Sequence, residues 1–120
     1  MQSAYDAYQE GSHLLATENW HAAVIALERA RDLEPDQGSV RETLARAYYR
    51  TGRIPAARDE FAHAVELDPV NDYAHFGLGL CLSREGDRIG ARRHLKLAVG
   101  MRPENADYRA ALAKVLDTDE

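Results

Sequence analysis

Apolar and small residues recur along this chain at the spacing of amphipathic helices, most clearly near its middle. The segment from about Val40 to Arg50 predicts a helix. One face of that helix carries the i, i+4, i+7 and i+8 series Val40, Leu44, Ala47 and Tyr48. Thr51-Gly52 predicts the end of the helix, because glycine tolerates the left-handed backbone of a helix C-terminus. Pro55 suits the first turn of a second helix, where its missing N–H costs nothing.

This second predicted helix has its own apolar face and a clear stop. The face is formed at helical spacing by Ala57, Phe61, Ala64 and Val65. Asp68-Pro69 ends the helix, since proline cannot continue it. Two short helices separated by a glycine turn predict a helical hairpin.

The hairpin is repeated three times at a fixed period of 34 residues. Three similar phrases close on a proline: Leu33-Glu34-Pro35, Leu67-Asp68-Pro69 and Met101-Arg102-Pro103. A period of this length indicates one helical unit repeated along the chain. We therefore divide a single domain, 1–120, into units at 4–37, 38–71 and 72–105. The remainder predicts a final capping helix over 106–117, with Tyr108, Leu112 and Leu116 on its apolar face.

Small and bulky residues keep their places from unit to unit. Five aligned columns hold Gly11, Ala45 and Gly79; Leu14, Tyr48 and Leu82; Ala23, Ala57 and Ala91; Leu27, Phe61 and Leu95; and Ala30, Ala64 and Ala98. Tiny residues let the two helices of a hairpin approach, and bulky residues fill the space beside them. We also place Trp20, Ile54 and Ile89 in one column at the start of the second helices, where they would wedge the hairpin turn.

These columns resemble the tetratricopeptide repeat, whose pattern is W-x2-L-G-x2-Y, then A-x3-F, then A and P. The resemblance covers nearly the whole chain, with some departures. The tryptophan column holds Ala7, Arg41 and His75. The first unit has Glu10 in the leucine column and Glu18 where the later units have glycine. The resemblance implies an all-α fold, an alpha-alpha superhelix of about seven helices in antiparallel pairs.

Composition is that of an ordinary soluble protein, with 45% hydrophobic and 29% charged residues. The single cysteine, Cys81, excludes an intramolecular disulfide and a cysteine-rich zinc site. We interpret it as a small buried hydrophobe. No stretch approaches the ~18 apolar residues needed to span a bilayer. No signal peptide is recognisable, so we expect a cytoplasmic protein without membrane contact.

Net charge argues against a nucleic-acid partner. The chain carries −5 overall, which opposes phosphate-driven binding even though 13 of its 15 basic residues are arginine. The charge is uneven, at −5, 0 and +2 for the three units and −2 for the remainder. In the third unit, the second helix concentrates Arg88, Arg92, Arg93 and Lys96. We interpret these residues as a solvated face. The alternative is a weak homo-oligomer, in which the acidic first unit pairs head to tail with the basic third unit of another chain.

Candidate chemistry is sparse. The five histidines form no H-x-x-x-H or H-x-H pair: His13, His21, His63, His75 and His94. Glu60-x-x-His63 occurs once, whereas carboxylate-bridged metal sites in helical bundles need that motif twice. The run at 77–79 begins like a dinucleotide-binding loop but lies inside a predicted helix. We therefore expect surface or partly packed histidines, no metal or other cofactor, and no enzyme.

In the family that the chain resembles, the first helix of each unit lines a concave groove that binds extended or helical peptides. Carried over by column, the lining residues are Tyr5, Tyr8, Ser12 and Leu15; Glu42, Thr43, Arg46, Tyr49 and Arg50; Tyr73, Phe76, Gly77, Leu80 and Arg84; and Lys114. The pairs Tyr5/Tyr8 and Tyr73/Phe76 are three residues apart, so each pair shares one helix face. The lining is aromatic and apolar, with a cationic strip formed by Arg46, Arg50, Arg84 and Lys114.

The resemblance thus implies an adaptor or scaffold module that binds another protein and catalyses nothing. One subtype of the family grips the C-terminal carboxylates of chaperones with Lys and Asn at defined groove columns. Those columns here hold Tyr8, Ser12, Thr43, Tyr73 and Gly77, so we expect no such clamp. Aromatics beside arginines are enriched at binding hot spots. We therefore expect a peptide or helix with an apolar anchor and an acidic flank.

Three alternatives remain open at this point. The groove aromatics would also serve as ordinary helix packing, and Glu42 and Arg46, four residues apart, would also pair only with each other. The chain would also suit a self-associating structural building block. A third alternative is a regulatory domain of an enzyme whose catalytic part lies elsewhere.

Overall fold

The computed structural model of this chain describes residues 1–117, in which seven α-helices and no strand occur. The helices are α1 (Ala4–Ala16), α2 (Trp20–Leu33), α3 (Gly38–Arg50), α4 (Ile54–Leu67), α5 (Asp72–Arg84), α6 (Arg88–Met101) and α7 (Ala106–Asp117). The predicted all-α fold is confirmed. Of the predicted domain, residues 118–120 lie outside the described residues.

The helices form three hairpins that stack into an elongated array. The hairpins are α1–α2, α3–α4 and α5–α6, and the array measures 53 × 25 × 23 Å. Each second helix also packs on the first helix of the next hairpin, so that α6 packs on α7. Further contacts join α1 to α3, α3 to α5 and α5 to α7. The first helices of the hairpins therefore lie side by side along one surface.

The turns inside the hairpins each need a left-handed residue. Gly52 (φ 78°) and Gly86 (φ 86°) supply it in the second and third hairpins, and Glu18 (φ 64°) supplies it in the first. A side chain in this region crowds the following carbonyl oxygen at a cost of about 1–2 kcal/mol. The first turn is therefore the strained one.

Short polar side chains begin several of the helices. Ser3, Asn71 and Asp87 precede α1, α5 and α6, and each accepts a hydrogen bond from a first-turn N–H at 2.8–3.0 Å. Such caps satisfy donors that the helix itself leaves unpaired. Pro55 lies in the first turn of α4, as predicted.

The core is built from the small and bulky columns of the repeat. Nine residues of three columns are at most 2% exposed: Ala23, Ala57 and Ala91; Leu27, Phe61 and Leu95; and Ala30, Ala64 and Ala98. Cys81 is also fully buried, as predicted. Burial raises the pKa of its thiol to about 12, so the reactive thiolate is suppressed.

A charged network joins the first two hairpins. The Glu60 side chain on α4 is almost buried and accepts hydrogen bonds at 2.8 Å from Arg31 on α2 and from Arg41 on α3. Arg41 also donates through Nε to the carbonyl oxygen of Pro35 at 2.9 Å. Burial is the largest single influence and disfavours the Arg31 charge, but the hydrogen bonds to Glu60 and Asp32 and the charge of Glu60 together outweigh it and raise the pKa of that guanidinium. The network therefore holds permanent charges inside the array.

Ile89 is 67% exposed, so its predicted role in wedging a hairpin turn is wrong. Trp20, Ile54 and Arg88 are the first residues of α2, α4 and α6, so Arg88 rather than Ile89 occupies this column. One residue of displacement turns a helical side chain by about 100°, because 3.6 residues make one turn. Ile89 consequently faces outward, whereas Ile54 is only 9% exposed.

The apolar face of α7 agrees with the predicted one at Tyr108 and Leu112 but differs from it at Leu116. Tyr108 and Val115 are its buried residues, and Leu116 is 44% exposed. Val115 clusters with Ala91 and Leu95 of α6. The capping helix therefore packs through an i, i+7 stripe that ends one residue before the predicted leucine.

Candidate functional site

A cavity of about 470 Å³ opens on the surface formed by the first helices of the hairpins. Eight of its lining residues belong to the predicted groove: Leu15, Arg46, Tyr49, Arg50, Tyr73, Phe76, Gly77 and Leu80. Four others line it without having been predicted: Ala16, Glu18, Trp20 and Phe61. The cavity thus joins α1, α3 and α5 with the start of α2 and the middle of α4.

Two of the unpredicted liners are aromatic residues that had been assigned to packing. Trp20 begins α2 and Phe61 belongs to the core, where its side chain is 2% exposed. For Phe61, the sequence contains a feature from which its place in the cavity could have been predicted. Gly77 is the groove residue on which the Phe61 ring lies, and a glycine among larger groove residues indicates a bulky neighbour behind it.

Three groove arginines each lie over an aromatic ring. The guanidinium carbon of Arg46 lies 5.5 Å from the centre of the Tyr73 ring. The corresponding distance is 5.4 Å from Arg50 to the Trp20 ring and 5.7 Å from Arg84 to the Tyr49 ring. Arg84 also donates through Nη1 to the Tyr49 hydroxyl at 3.5 Å. Cation–π contacts of this kind hold the guanidinium planes in place while their N–H edges stay available to a ligand.

The apolar floor of the cavity is a connected series of rings. The ring centre of Tyr73 lies 6.3 Å from that of Phe61 and 5.8 Å from that of Phe76. The ring centre of Phe76 in turn lies 4.7 Å from that of Tyr108 on α7. The Tyr108 hydroxyl donates to Asp72 at 2.7 Å. Burial raises the pKa of Tyr73, although Arg46 opposes this effect. Tyr73 is therefore uncharged at neutral pH, and the floor is preformed by packing among rings of three helices, α4, α5 and α7.

Tyr5 and Tyr8 do not line this cavity. They line a second hollow of about 300 Å³ between α1 and the start of α3, together with Ala4, Glu34, Gln37, Ser39 and Val40. Tyr5 is 68% exposed, and its hydroxyl accepts a hydrogen bond from Gln9 at 2.7 Å. The predicted lining is therefore divided between two hollows.

The other predicted groove residues lie outside both hollows. The Ser12 hydroxyl is buried without a hydrogen-bond partner among the residues described. Glu42 accepts a hydrogen bond from Asn71 at 3.0 Å, and Thr43 is 5% exposed and donates to a backbone carbonyl within α3. Lys114 is exposed on α7. The cationic side of the cavity consequently rests on the arginines.

The histidines are not all at the surface. His13, His21 and His63 are exposed, but His75 is only 4% exposed and stacks on the half-buried His94. Within residues 1–117, no three His, Cys, Asp or Glu side chains are grouped so that they could hold a metal ion. None of the seven helices is long and apolar enough to cross a membrane.

Comparison with known proteins places these features in a family. A family model described as tetratricopeptide repeat matches residues 8–72 and again 42–106. The chain is 31% identical over 109 residues to the TPR repeat-containing thioredoxin TTL4 of Arabidopsis thaliana, covering 91% of this chain and 16% of that protein. It is 33% identical over 97 residues to the tetratricopeptide repeat and J domain-containing co-chaperone DNJ1 of Cryptococcus neoformans, covering 81% and 19%. The chain thus spans less than a fifth of either relative.

Solved structures agree in fold. The first TPR domain of Spaghetti (RPAP3), bound to the HSP90 peptide SRMEEVD, superposes with a TM-score of 0.92 at 18% identity, covering 98% of this chain and 93% of that one. YrrB, a TPR protein with an unusual peptide-binding site, gives a TM-score of 0.85 at 23% identity, covering 92% and 57%. These likenesses at low identity concern the fold alone.

Proposed function

The chain belongs to the tetratricopeptide repeat family, and on this premise we propose that it is an adaptor module that binds a segment of a partner protein in the cavity. Proteins of this family and fold are typically interaction modules without catalysis. The observation that carries the proposal is a set of stacked arginines: Arg46 and Arg50 line the cavity over aromatic rings, and Arg84 lies over the ring of Tyr49, which also lines it. Arginine, tyrosine and tryptophan are the residues that are enriched at the hot spots of protein interfaces.

The apolar part of the cavity suits a single anchoring side chain. A volume of about 470 Å³ lies in the lower half of the range of small-ligand pockets, about 300–1,000 Å³. Its rings are already held by their neighbours, so binding an anchor orders few additional side chains. An aliphatic or aromatic residue of the partner would replace water against Tyr49, Phe76 and Leu80.

The arginines specify an acidic flank beside that anchor. Arg46 and Arg50 are four residues apart on α3 and so lie on one face, and Arg84 follows Arg50 by one period. Guanidinium groups bind carboxylates through two parallel hydrogen bonds. The chain as a whole is at −5, so this local positive charge selects where an acidic segment can dock rather than attracting it from a distance.

A peptide selection tests the proposal directly. Peptides of 12 residues are selected on the wild-type protein by phage display, synthesised, and measured by fluorescence anisotropy. We expect an apolar residue next to Asp or Glu in the selected sequences. Tyr49→Ala/Arg50→Glu should weaken their binding by more than about tenfold, the factor that corresponds to about 1.4 kcal/mol. Affinity should also fall as salt rises.

A matched control changes one apolar and one cationic residue away from the cavity. Ile25→Ala/Arg29→Glu alters exposed residues of α2 and should leave affinity unchanged. Thermal melts of both variants check that they fold. Equal affinity of the wild type and the groove variant for the selected peptides would refute the proposal. Labelled SRMEEVD serves as a further probe, because tight binding of that peptide would point to a chaperone tail instead.

The alternative of head-to-tail self-association has a specific obstacle at α1. Stacking buries Val40, Leu44 and Ala47 on α3, but the same columns of α1 hold charged or exposed residues, Asp6, Glu10 and His13. A second copy would have to join there through charge alone. Light scattering at low and high salt separates the two functions, since only the self-associating form changes mass with salt.

A further inference from the structure

Two histidines from neighbouring helices share a hydrogen bond inside the third hairpin. The Nδ1 atoms of His75 on α5 and His94 on α6 are 3.0 Å apart, and the rings stack with centres 5.2 Å apart at an angle of 21°. The other nitrogen of His75, Nε2, lies 2.8 Å from the carbonyl oxygen of Pro69. His75 is 4% exposed, so this arrangement is largely shielded from water.

The repeat shows what this pair replaces. One period earlier, the positions of His75 and His94 are held by Arg41 and Glu60, which form the buried ion pair of the second hairpin. One period after His75, Arg109 donates to the carbonyl oxygen of Pro103. From Arg41 onward, the side chain of this column thus bonds to the carbonyl oxygen of the proline that closes the preceding repeat. In the third hairpin alone, the group that bonds to this carbonyl is an imidazole rather than a guanidinium.

The proton positions follow from the partners. A carbonyl oxygen only accepts, so His75 must carry a hydrogen on Nε2. In the neutral pair, His75 Nδ1 is then bare and accepts from a hydrogen on Nδ1 of His94. A first added proton binds Nε2 of His94 and leaves the bond between the rings intact. A second proton must bind Nδ1 of His75, which places two donors and two positive charges face to face.

The surroundings oppose protonation of His94. Burial lowers the pKa of His94, and the charges of His75 and Arg93 lower it further, while Asp87 works in the opposite direction. On the α4 side, the position equivalent to Arg31 of the second hairpin is held by Val65, which carries no charge. His94 of the folded chain is therefore neutral at pH values at which histidines of an unfolded chain are partly protonated.

We propose that His75 and His94 form a pH-sensitive latch that joins α5 to α6 and opens when both rings are protonated. Opening frees the N-terminal half of α5, the helix that supplies Tyr73 and Phe76 to the cavity floor. The latch closes the third hairpin at neutral pH and weakens it in an acidic environment. The second hairpin, with its arginine–glutamate pair, has no such response in this range.

The sign of the pH effect follows from linkage. Because the pKa of His94 is lowered in the folded state, the unfolded chain binds the proton more readily. Stability contributed by the neutral pair is complete above the ordinary histidine pKa of about 6.5 and is lost as pH falls below it. We expect the melting temperature of the wild type to fall by several degrees between pH 7.5 and 5.5.

The repeat itself supplies the matched variant. His75→Arg/His94→Glu installs the pair of the second hairpin, and its melting temperature should change much less over the same pH interval. His13→Gln/His21→Gln/His63→Gln removes only exposed histidines and should keep the wild-type fall. Equal falls in the wild type and the Arg/Glu variant would overturn the proposal, and so would a fall that vanishes in the triple variant.

A second measurement does not depend on the variant folding. Imidazole proton and nitrogen shifts of the wild type, followed by NMR from pH 8 to pH 4.5, should show the His94 titration displaced to lower pH and coupled to the His75 ring. The Nε2 hydrogen of His75 should stay bonded and resolved at neutral pH. Five histidines that titrate together at the ordinary pKa would rule the latch out.

Discussion

The second and third repeats have helices of equal length but differ in the side chains that join them. Both consist of a 13-residue helix followed by a 14-residue helix. In the second repeat, Arg41 bonds to Glu60 and to the preceding proline carbonyl. In the third repeat, His75 takes the same place with His94 as its partner. The polar pair is therefore exchangeable, provided that the replacement still satisfies that carbonyl.

The small columns differ for a steric reason. A Cβ on Gly79 would lie 2.7 Å from Cγ of Leu95, so the third hairpin needs glycine there. The second hairpin holds Ala45 at the equivalent position because its bulky residue is Phe61. The phenyl ring reaches instead toward Gly77, where a Cβ would lie 2.3 Å from Cζ of Phe61. The position that requires glycine therefore depends on the shape of the bulky residue that packs against it: Gly79 faces Leu95, and Gly77 faces Phe61.

Removing the buried carboxylate should break the second repeat most severely. Glu60→Ala leaves Arg31 and Arg41 without their shared counter-charge inside the array. Breaking a buried pair in this way costs about 3–5 kcal/mol, and partial exposure of Arg31 places this case near about 3 kcal/mol. Urea unfolding followed by circular dichroism measures the change, with the m value showing whether unfolding stays two-state.

The control for this prediction is an ion pair nearer the surface. Glu85 accepts hydrogen bonds from Arg58 at 2.8 and 3.0 Å, but both side chains reach solvent. Glu85→Ala should therefore cost less than about 1 kcal/mol. If the two substitutions cost the same, the Glu60 network is not what holds the second repeat to its neighbours.

A single methyl group should distinguish the glycines of the third repeat. Gly77→Ala drives a Cβ into the Phe61 ring, and overpacking costs about 1–3 kcal/mol, partly offset by the better helix propensity of alanine. We expect a net loss of about 1–2 kcal/mol. Gly100→Ala on α6 meets nothing within 4 Å and should gain about 0.5–1 kcal/mol. A gain at both positions in urea unfolding would contradict the steric reading of Gly77.

Periodicity was sufficient to predict the fold, because the columns are repeated and each carries a steric requirement. The alanines at 23, 57 and 91 are fully buried, as the alignment requires. Periodicity was not sufficient to predict the burial of every apolar residue. Ile89 follows the first residue of α6, and Leu116 follows the buried Val115, and both of these apolar side chains are exposed.

The site was harder to predict, because its contacts cross between repeats. Column transfer found the arginines and two of the rings beneath them, Tyr73 and Tyr49, but it missed Trp20 and Phe61, which belong to second helices. The search for local histidine motifs likewise missed a pair 19 residues apart. Laying the third unit over the second would have found it, because His75 and His94 fall on the positions of a complementary ion pair.

The smallest effect should come from the turn that separates the first repeat from the other two. Glu18 adopts the left-handed conformation that glycine adopts in the later turns. Glu18→Gly relieves that strain but adds freedom to the unfolded chain, so we expect a gain of only about 0.5–1 kcal/mol in urea unfolding. The reciprocal Gly52→Glu should lose about 1 kcal/mol at a backbone of nearly the same φ. A loss on Glu18→Gly would mean that this carboxylate, which lines the cavity, stabilises the first repeat by more than its backbone strain costs.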